Sequence, residues 1–254
     1  MTTAVEAAVP RTTSEDRFFL TMALAMATVI VAGFAFNLAM GRSTFSVPPI
    51  YHVHAFFFFG WTVIYTLQNV FVATGATHLH RRLGWIAMGW VPAMVVLGTA
   101  ITVVSVRTHG GPPFFDEREF LFGAPFGIFC FAALVAFAIG MRKRTDWHRR
   151  LMLCAMALLT GPGFGRLLPT PLLIPWAWWI TDFVFPAIFP VIGMFADWRR
   201  TGRVHPAWSV GLGAGFAALF LADVIAFSAW GTAITHAVVA GTPGAERIVT
   251  AHFP

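Results

Sequence analysis

Apolar residues in this chain come in long runs and do not alternate with polar ones. From Phe18 onward, blocks of about twenty uncharged residues are separated by short polar or Gly/Pro-rich breaks. A helix needs about 20 apolar residues to cross the hydrocarbon core, and only helices and closed barrels satisfy their backbone there. The runs are too long for barrel strands. The pattern therefore predicts an all-α polytopic transmembrane bundle of about seven spans, at 18–40, 50–74, 82–106, 119–141, 150–168, 172–196 and 207–232. The breaks Ser46-Val47-Pro48-Pro49, Gly110-Gly111-Pro112-Pro113 and Pro169-Thr170-Pro171 punctuate it, because Pro lacks a donor and Gly allows positive φ. A polar tail at 1–17 and a second tail at 233–254 flank the membrane domain, 18–232. The first run follows Glu6, Arg11, Glu15, Asp16 and Arg17 and exceeds the length of a leader's apolar region, so it is expected to be a span.

Composition agrees. Only 11% of residues are charged, against about 25% in soluble domains. The net charge of +6 does not imply nucleic acid, because the basic residues gather at span ends. Arg81 and Arg82, then Arg142, Lys143, Arg144, Arg149 and Arg150, then Arg199, Arg200 and Arg203 fall in alternate loops. By the positive-inside rule those loops and the N-terminus are cytoplasmic. The expected partners are the bilayer and, at the cytoplasmic face, anionic lipid head groups. Cys130 and Cys154 lie inside apolar runs and read as small core residues.

Two constellations could carry chemistry. The first lies in the outer half. Tyr51-His52-Val53-His54 opens the second span. On an extended backbone His52 and His54 would face one way and could share a metal ion, with Asp116, Glu117, Glu119 and His236 as further ligands. On a helix they would point about 200° apart. Arg166, after Gly161-Pro162-Gly163-Phe164-Gly165, and the in-span Asp182 and Asp223 belong to the same half. Buried charge in a span needs a partner and commonly marks function. Arg166 is the expected counter-ion of the aspartates, and the Gly-Pro-Gly segment is expected to break its helix beside a polar pocket. A purely structural ion pair is the competing reading.

The second constellation is the repeat His80-Arg81-Arg82-Leu83 and His148-Arg149-Arg150-Leu151. His80 and His148 could bracket a haem, with Arg81 and Arg149 on its propionates. The same residues could be interfacial anchors or an anionic-lipid site. Asp146 is expected to cap the fifth helix and Thr77 the third. Asp146-Trp147 recurs as Asp197-Trp198, which points either to an internal repeat or to the usual composition of an interface.

His52-x-His54, the run through Gln68-Asn69 to His80-Arg81-Arg82-Leu83-Gly84, the segment Asp146-Trp147-His148-Arg149-Arg150-Leu151-Met152, and Gly161-Pro162 through Arg166 together resemble a group of uncharacterised bacterial integral-membrane proteins. The resemblance covers the second to sixth spans and implies a multi-pass protein of the bacterial inner membrane, with no established activity. A looser likeness is to small membrane b-type cytochromes, which also carry His on several helices.

The sequence thus leads to a bundle with an outward polar site built from His52, His54, Arg166, Asp182 and Asp223. The leading expectation is haem b or a transition-metal ion there, in a redox or respiratory-chain-associated protein, alone, as a homo-oligomer or beside a respiratory complex. One alternative is a proton-coupled transporter or binder of a small anion. Another is a structural or assembly subunit without chemistry. No hydrolase, nucleotide-loop or zinc-protease motif is present.

Overall fold

The computed structural model describes residues 13–247, and no strand occurs among them. Glu6 and Arg11 of the N-terminal tail and residues 248–254 of the C-terminal tail lie outside that range. The helices are α1 (Ser14–Ala39), α2 (Pro49–Ala73), α3 (Thr77–His109), α4 (Glu117–Gly140), α5 (Thr145–Leu158), α6 (Gly161–Leu167), α7 (Ala177–Trp179), α8 (Phe185–Thr201), α9 (Pro206–Ala226) and α10 (Ala229–Val239). A π-helical turn, Ile180–Val184, joins α7 to α8, and short 3-10 turns lie at Thr170–Leu173 and Pro243–Glu246.

Six helices are long and apolar enough to cross a membrane: Ser14–Ala39, Pro49–Ala73, Thr77–His109, Glu117–Gly140, Ala177–Thr201 and Pro206–Ala226. Their outer faces carry large apolar side chains such as Val53, Phe56, Val96, Phe129, Phe195 and Val224. Such a surface suits lipid and not water. The segment expected as a seventh span is different. It is divided at Leu159-Thr160 into α5 and α6, of 14 and 7 residues.

Local chemistry accounts for most ends. α1 opens on a capping box, in which the Thr13 hydroxyl accepts from the Asp16 N–H and the Asp16 carboxylate accepts from Thr13. Asp116 caps α4, His205 caps α9 and Ser228 caps α10. The caps expected at Thr77 and Asp146 do not form. Each residue falls inside the first turn of its helix, where its side chain lies beyond the free N–H groups it would have to accept from. The stretch from 233, expected as a tail, includes most of α10, which packs on α3, α4 and α9.

The core runs around α5, whose buried residues are Arg150, Leu151, Leu153, Cys154, Ala155, Met156 and Ala157. α1, α4, α8 and α9 surround it. Trp61 and Tyr65 of α2, Met94 of α3, Phe131 of α4 and Trp208 of α9 complete the packing. A helix enclosed on all sides needs no lipid-facing stripe, and α5 can therefore carry Asp146, Arg149 and Arg150 in its first turns.

Candidate functional site

The antiparallel helices create two polar ends. One gathers the N-termini of α1, α3, α5 and α9 and the C-termini of α2, α4 and α8. Here Arg150 donates through Nε to Asp197 Oδ2 at 2.7 Å and through Nη2 to Asp197 Oδ1 at 2.6 Å. The same Nη2 reaches Glu15 at 3.0 Å. Arg200 joins Asp197 at 2.7 Å and Glu15 at 3.0 Å, and Trp208 Nε1 donates to Asp197 at 2.7 Å. Asp197 is 4% exposed and Arg150 5%, so the network closes a buried charge pair on all sides. It ties α1, α5, α8 and α9 at one point.

Arg149, expected on a propionate, instead faces Glu15 at 3.3 Å and Asp16 at 3.4 Å and lies over the Phe19 ring. The reason is the acidic first turn of α1, which lands beside it and supplies two carboxylates. Arg81 and Arg82 are exposed. The two His-Arg-Arg-Leu copies therefore share only their histidines in space. The His80 and His148 ring centroids are 6.3 Å apart and their planes perpendicular. His148 Nδ1 lies 2.8 Å from the Ala138 carbonyl of α4. The Asp-Trp copies also diverge, Asp197 being buried and Asp146 exposed with His205 Nε2 at 3.0 Å. Burial pushes the Asp146 carboxyl up, but hydrogen bonds from His205 and the Trp147 backbone, together with the charges of His205 and Arg144, hold the group below its ordinary range.

The opposite end holds the other sequence-predicted residues. α2 is already helical at Pro49, so His52 and His54 leave it on opposite sides and the shared ion that an extended backbone would allow does not form. His52 is exposed, with Nε2 3.1 Å from the Phe45 carbonyl. His54 turns inward and stacks on Phe58 at 4.1 Å, and its Nδ1 is buried without a hydrogen-bond partner. Among the described residues, no three His, Cys, Asp or Glu side chains gather as a metal group.

Arg166 does not pair with the aspartates as expected: no ion pair within 4 Å joins them among the described residues. Its guanidinium lies 3.9 Å from the Phe34 ring centroid and donates to the Pro162 carbonyl at 2.7 Å. α6 packs against α1, so the side chain meets Phe34 first. Asp182 remains the carboxylate whose charge Arg166 feels. Asp182 accepts from the Thr181 hydroxyl at 2.6 Å, and Asp223 from Trp179 Nε1 at 2.6 Å, which leaves Asp223 Oδ1 buried and unpaired.

Where two irregular segments meet, the site takes shape. Asp182 sits in the π turn, where the Phe185 N–H reaches back to the Ile180 carbonyl. Facing it is Gly161, at the break between α5 and α6. A Cβ on Gly161 would collide with the Asp182 carboxylate and come within 3.2 Å of its Cα. Behind the break, a Cβ on Gly163 would lie 2.9 Å from the Val29 carbonyl of α1. Two glycines thus bring a broken helix, the half-buried Asp182 carboxylate and α1 together.

At this end two acidic residues that the sequence offered only as further metal ligands are buried. Glu119 is 6% exposed and Glu117 1% exposed. Glu119 lies within the electrostatic reach of Asp223, Asp116 and Asp182. Arg118 is bound to Asp116 through Nε at 3.0 Å and Nη2 at 2.8 Å, and it covers Phe227. Arg247 donates to the Gly110 and Phe115 carbonyls, the latter at 2.7 Å, and burial pulls its pKa down against the charges of Glu117 and Asp116. A small cavity lies elsewhere, between α5, α8 and α9, lined by Cys154, Leu158, Phe183, Pro186 and Gly211.

No protein-family model, curated protein or solved structure matches the chain.

Proposed function

We propose that the protein is a proton-coupled carrier of a small anion in the bacterial inner membrane. The observation that carries this reading is the meeting of a broken helix, α5–α6, and the π turn of the α7–α8 helix at Asp182, with Arg166 nearly two turns beyond the break. Discontinuous helices in transporters supply coupling sites near the bilayer midplane, because irregular backbone there must line protein or a cavity. A cation held by a ring face and one carbonyl keeps capacity for an anionic ligand. The buried Glu119 and the half-buried Asp182 and Asp223 form a set of carboxylates that repel one another when all are ionised. Protonation of one as the anion reaches Arg166 couples the two movements.

In this reading α5 and α6 together make a seventh crossing. The N-terminus and the Arg150–Asp197 network face the cytoplasm, as the concentration of Arg and Lys at that end supports. Arg81, Arg82, Arg142, Lys143 and Arg203 meet anionic lipid there.

Reconstituted vesicles enclosing a pH-sensitive dye test the proposal. Imposed gradients of acetate, lactate, phosphate and chloride should reveal one anion whose entry acidifies the lumen. Asp182→Asn should lower that rate by about a hundredfold, equivalent to about 2.7 kcal/mol of barrier, and Arg166→Gln should abolish anion dependence. Wild-type vesicles that stay silent to all four probes, or Asp182→Asn vesicles as fast as wild type, would sink it. The haem reading of the inner end keeps one specific observation in its favour, the adjacency of His80 and His148.

A further inference from the structure

We infer that His80 and His148 form a two-coordinate site for a soft monovalent metal ion, copper(I). The site lies at the end of the bundle opposite Asp182 and does not depend on the carrier reading.

The argument starts from the proton on each ring. A carbonyl only accepts, so the 2.8 Å contact between His148 Nδ1 and the Ala138 oxygen puts the proton on Nδ1 and leaves Nε2 with its lone pair. Metal-ligating histidines are oriented in this way, with the second nitrogen held by a backbone carbonyl. His80 offers the complement: the Gln68 backbone carbonyl acts on its ring, and its buried Nδ1 has no hydrogen-bond partner within 3.5 Å and so stays free to ligate. Gln68, whose amide packs over Gly84 one turn beyond His80, has its oxygen unpaired as well.

Distance and angle fit an ion between the rings. Imidazole nitrogens bind such ions at about 2 Å, and two rings bound collinearly at that distance have centroids about 6 Å apart. The observed separation is 6.3 Å. Perpendicular planes are allowed because each ring turns freely about a collinear nitrogen–metal–nitrogen axis.

The size of the ligand set selects the ion. No third His, Cys, Asp or Glu completes a group here among the described residues. Zinc in structural sites takes four protein ligands, whereas copper(I) is satisfied by two neutral nitrogens on a line. Local charge points the same way. Arg81 is close enough to act electrostatically on His80, and Arg149 on His148. Arg149 is balanced by Glu15 and Asp16. A monovalent ion meets less repulsion in such a field than a divalent one.

Anaerobic titration of the purified protein with copper(I), against a chromogenic copper(I) chelator, tests the site. Wild type should retain one ion per chain. The control His78→Ala, which alters an exposed neighbour on the same helix, should do the same. His80→Ala and His148→Ala should each weaken retention by about tenfold or more. X-ray absorption on the loaded wild type should show two nitrogen neighbours at about 2 Å. That measurement decides the matter even if an alanine variant fails to fold. Equal retention by all four proteins, a coordination shell of three or more ligands, or a visible haem band lost in both histidine variants would overturn the proposal.

Discussion

At the scale of single residues, Asp197 is the buried carboxylate on which its end of the bundle converges: Arg150, Arg200 and Trp208 all point to its two oxygens. Removing one partner of a buried ion pair leaves an uncompensated charge, and the loss exceeds what the pair itself contributes. Asp197→Ala is expected to destabilise the protein by about 3 kcal/mol, read as a lower midpoint of thermal unfolding in detergent. Arg200→Ala, at the exposed rim, should lose under about 1 kcal/mol. Asp146 gives a pH prediction. Its carboxyl is held below the ordinary carboxylate range in the fold, so its contribution to stability is complete above that range and is lost as pH falls through the depressed value. Asp146→Asn should lower the neutral plateau of the stability profile and flatten its acid side, the two profiles converging as pH falls through the depressed value. In the sequence Asp146 and Asp197 looked like one repeated signal. Only the fold separates them, because burial depends on which helix crosses behind each residue.

Helices as units were legible where their sequence alone specifies them. Six of the seven expected spans became the six long helices, and the Gly/Pro breaks fell between them. α5 and α6 were legible in part: Gly161-Pro162-Gly163 announced a break, and it occurs. The π turn was not legible, because Ile180-Thr181-Asp182-Phe183-Val184 reads as ordinary apolar helix and the extra residue is accommodated by packing. The burial of Glu117 and Glu119, named from the sequence only as further metal ligands, was not legible for a related reason. Acidic residues after a proline pair resemble a solvated loop, yet here they form the buried first turn of α4. Close approach between elements yields a further prediction. Gly161→Ala puts a methyl group into the Asp182 carboxylate, and overpacking of this kind costs about 1–3 kcal/mol. Its unfolding midpoint should fall, while Gly213→Ala, with open space at its Cβ, should not move.

For the molecule as a whole, the bundle separates a dense ion network at one end from a sparsely paired set of charges at the other. Crossing number and orientation belong to this scale. Reporter fusions after Lys143 and after Arg203 should score cytoplasmic, and a fusion after Gly111 should score external. A cytoplasmic signal at Gly111 would reverse the topology. The π turn has a consequence at the same scale. Asp182 lies within it and Asp197 stands fifteen positions later on the same rod, so the turn sets the angular phase between the two polar ends. A regular helix advances about 100° per residue. Winding 180–184 regularly without removing a residue would swing everything beyond by about that angle, turning Asp197 away from Arg150. Homologous chains that keep both carboxylates in use should therefore carry either this π turn or a regular helix one residue shorter.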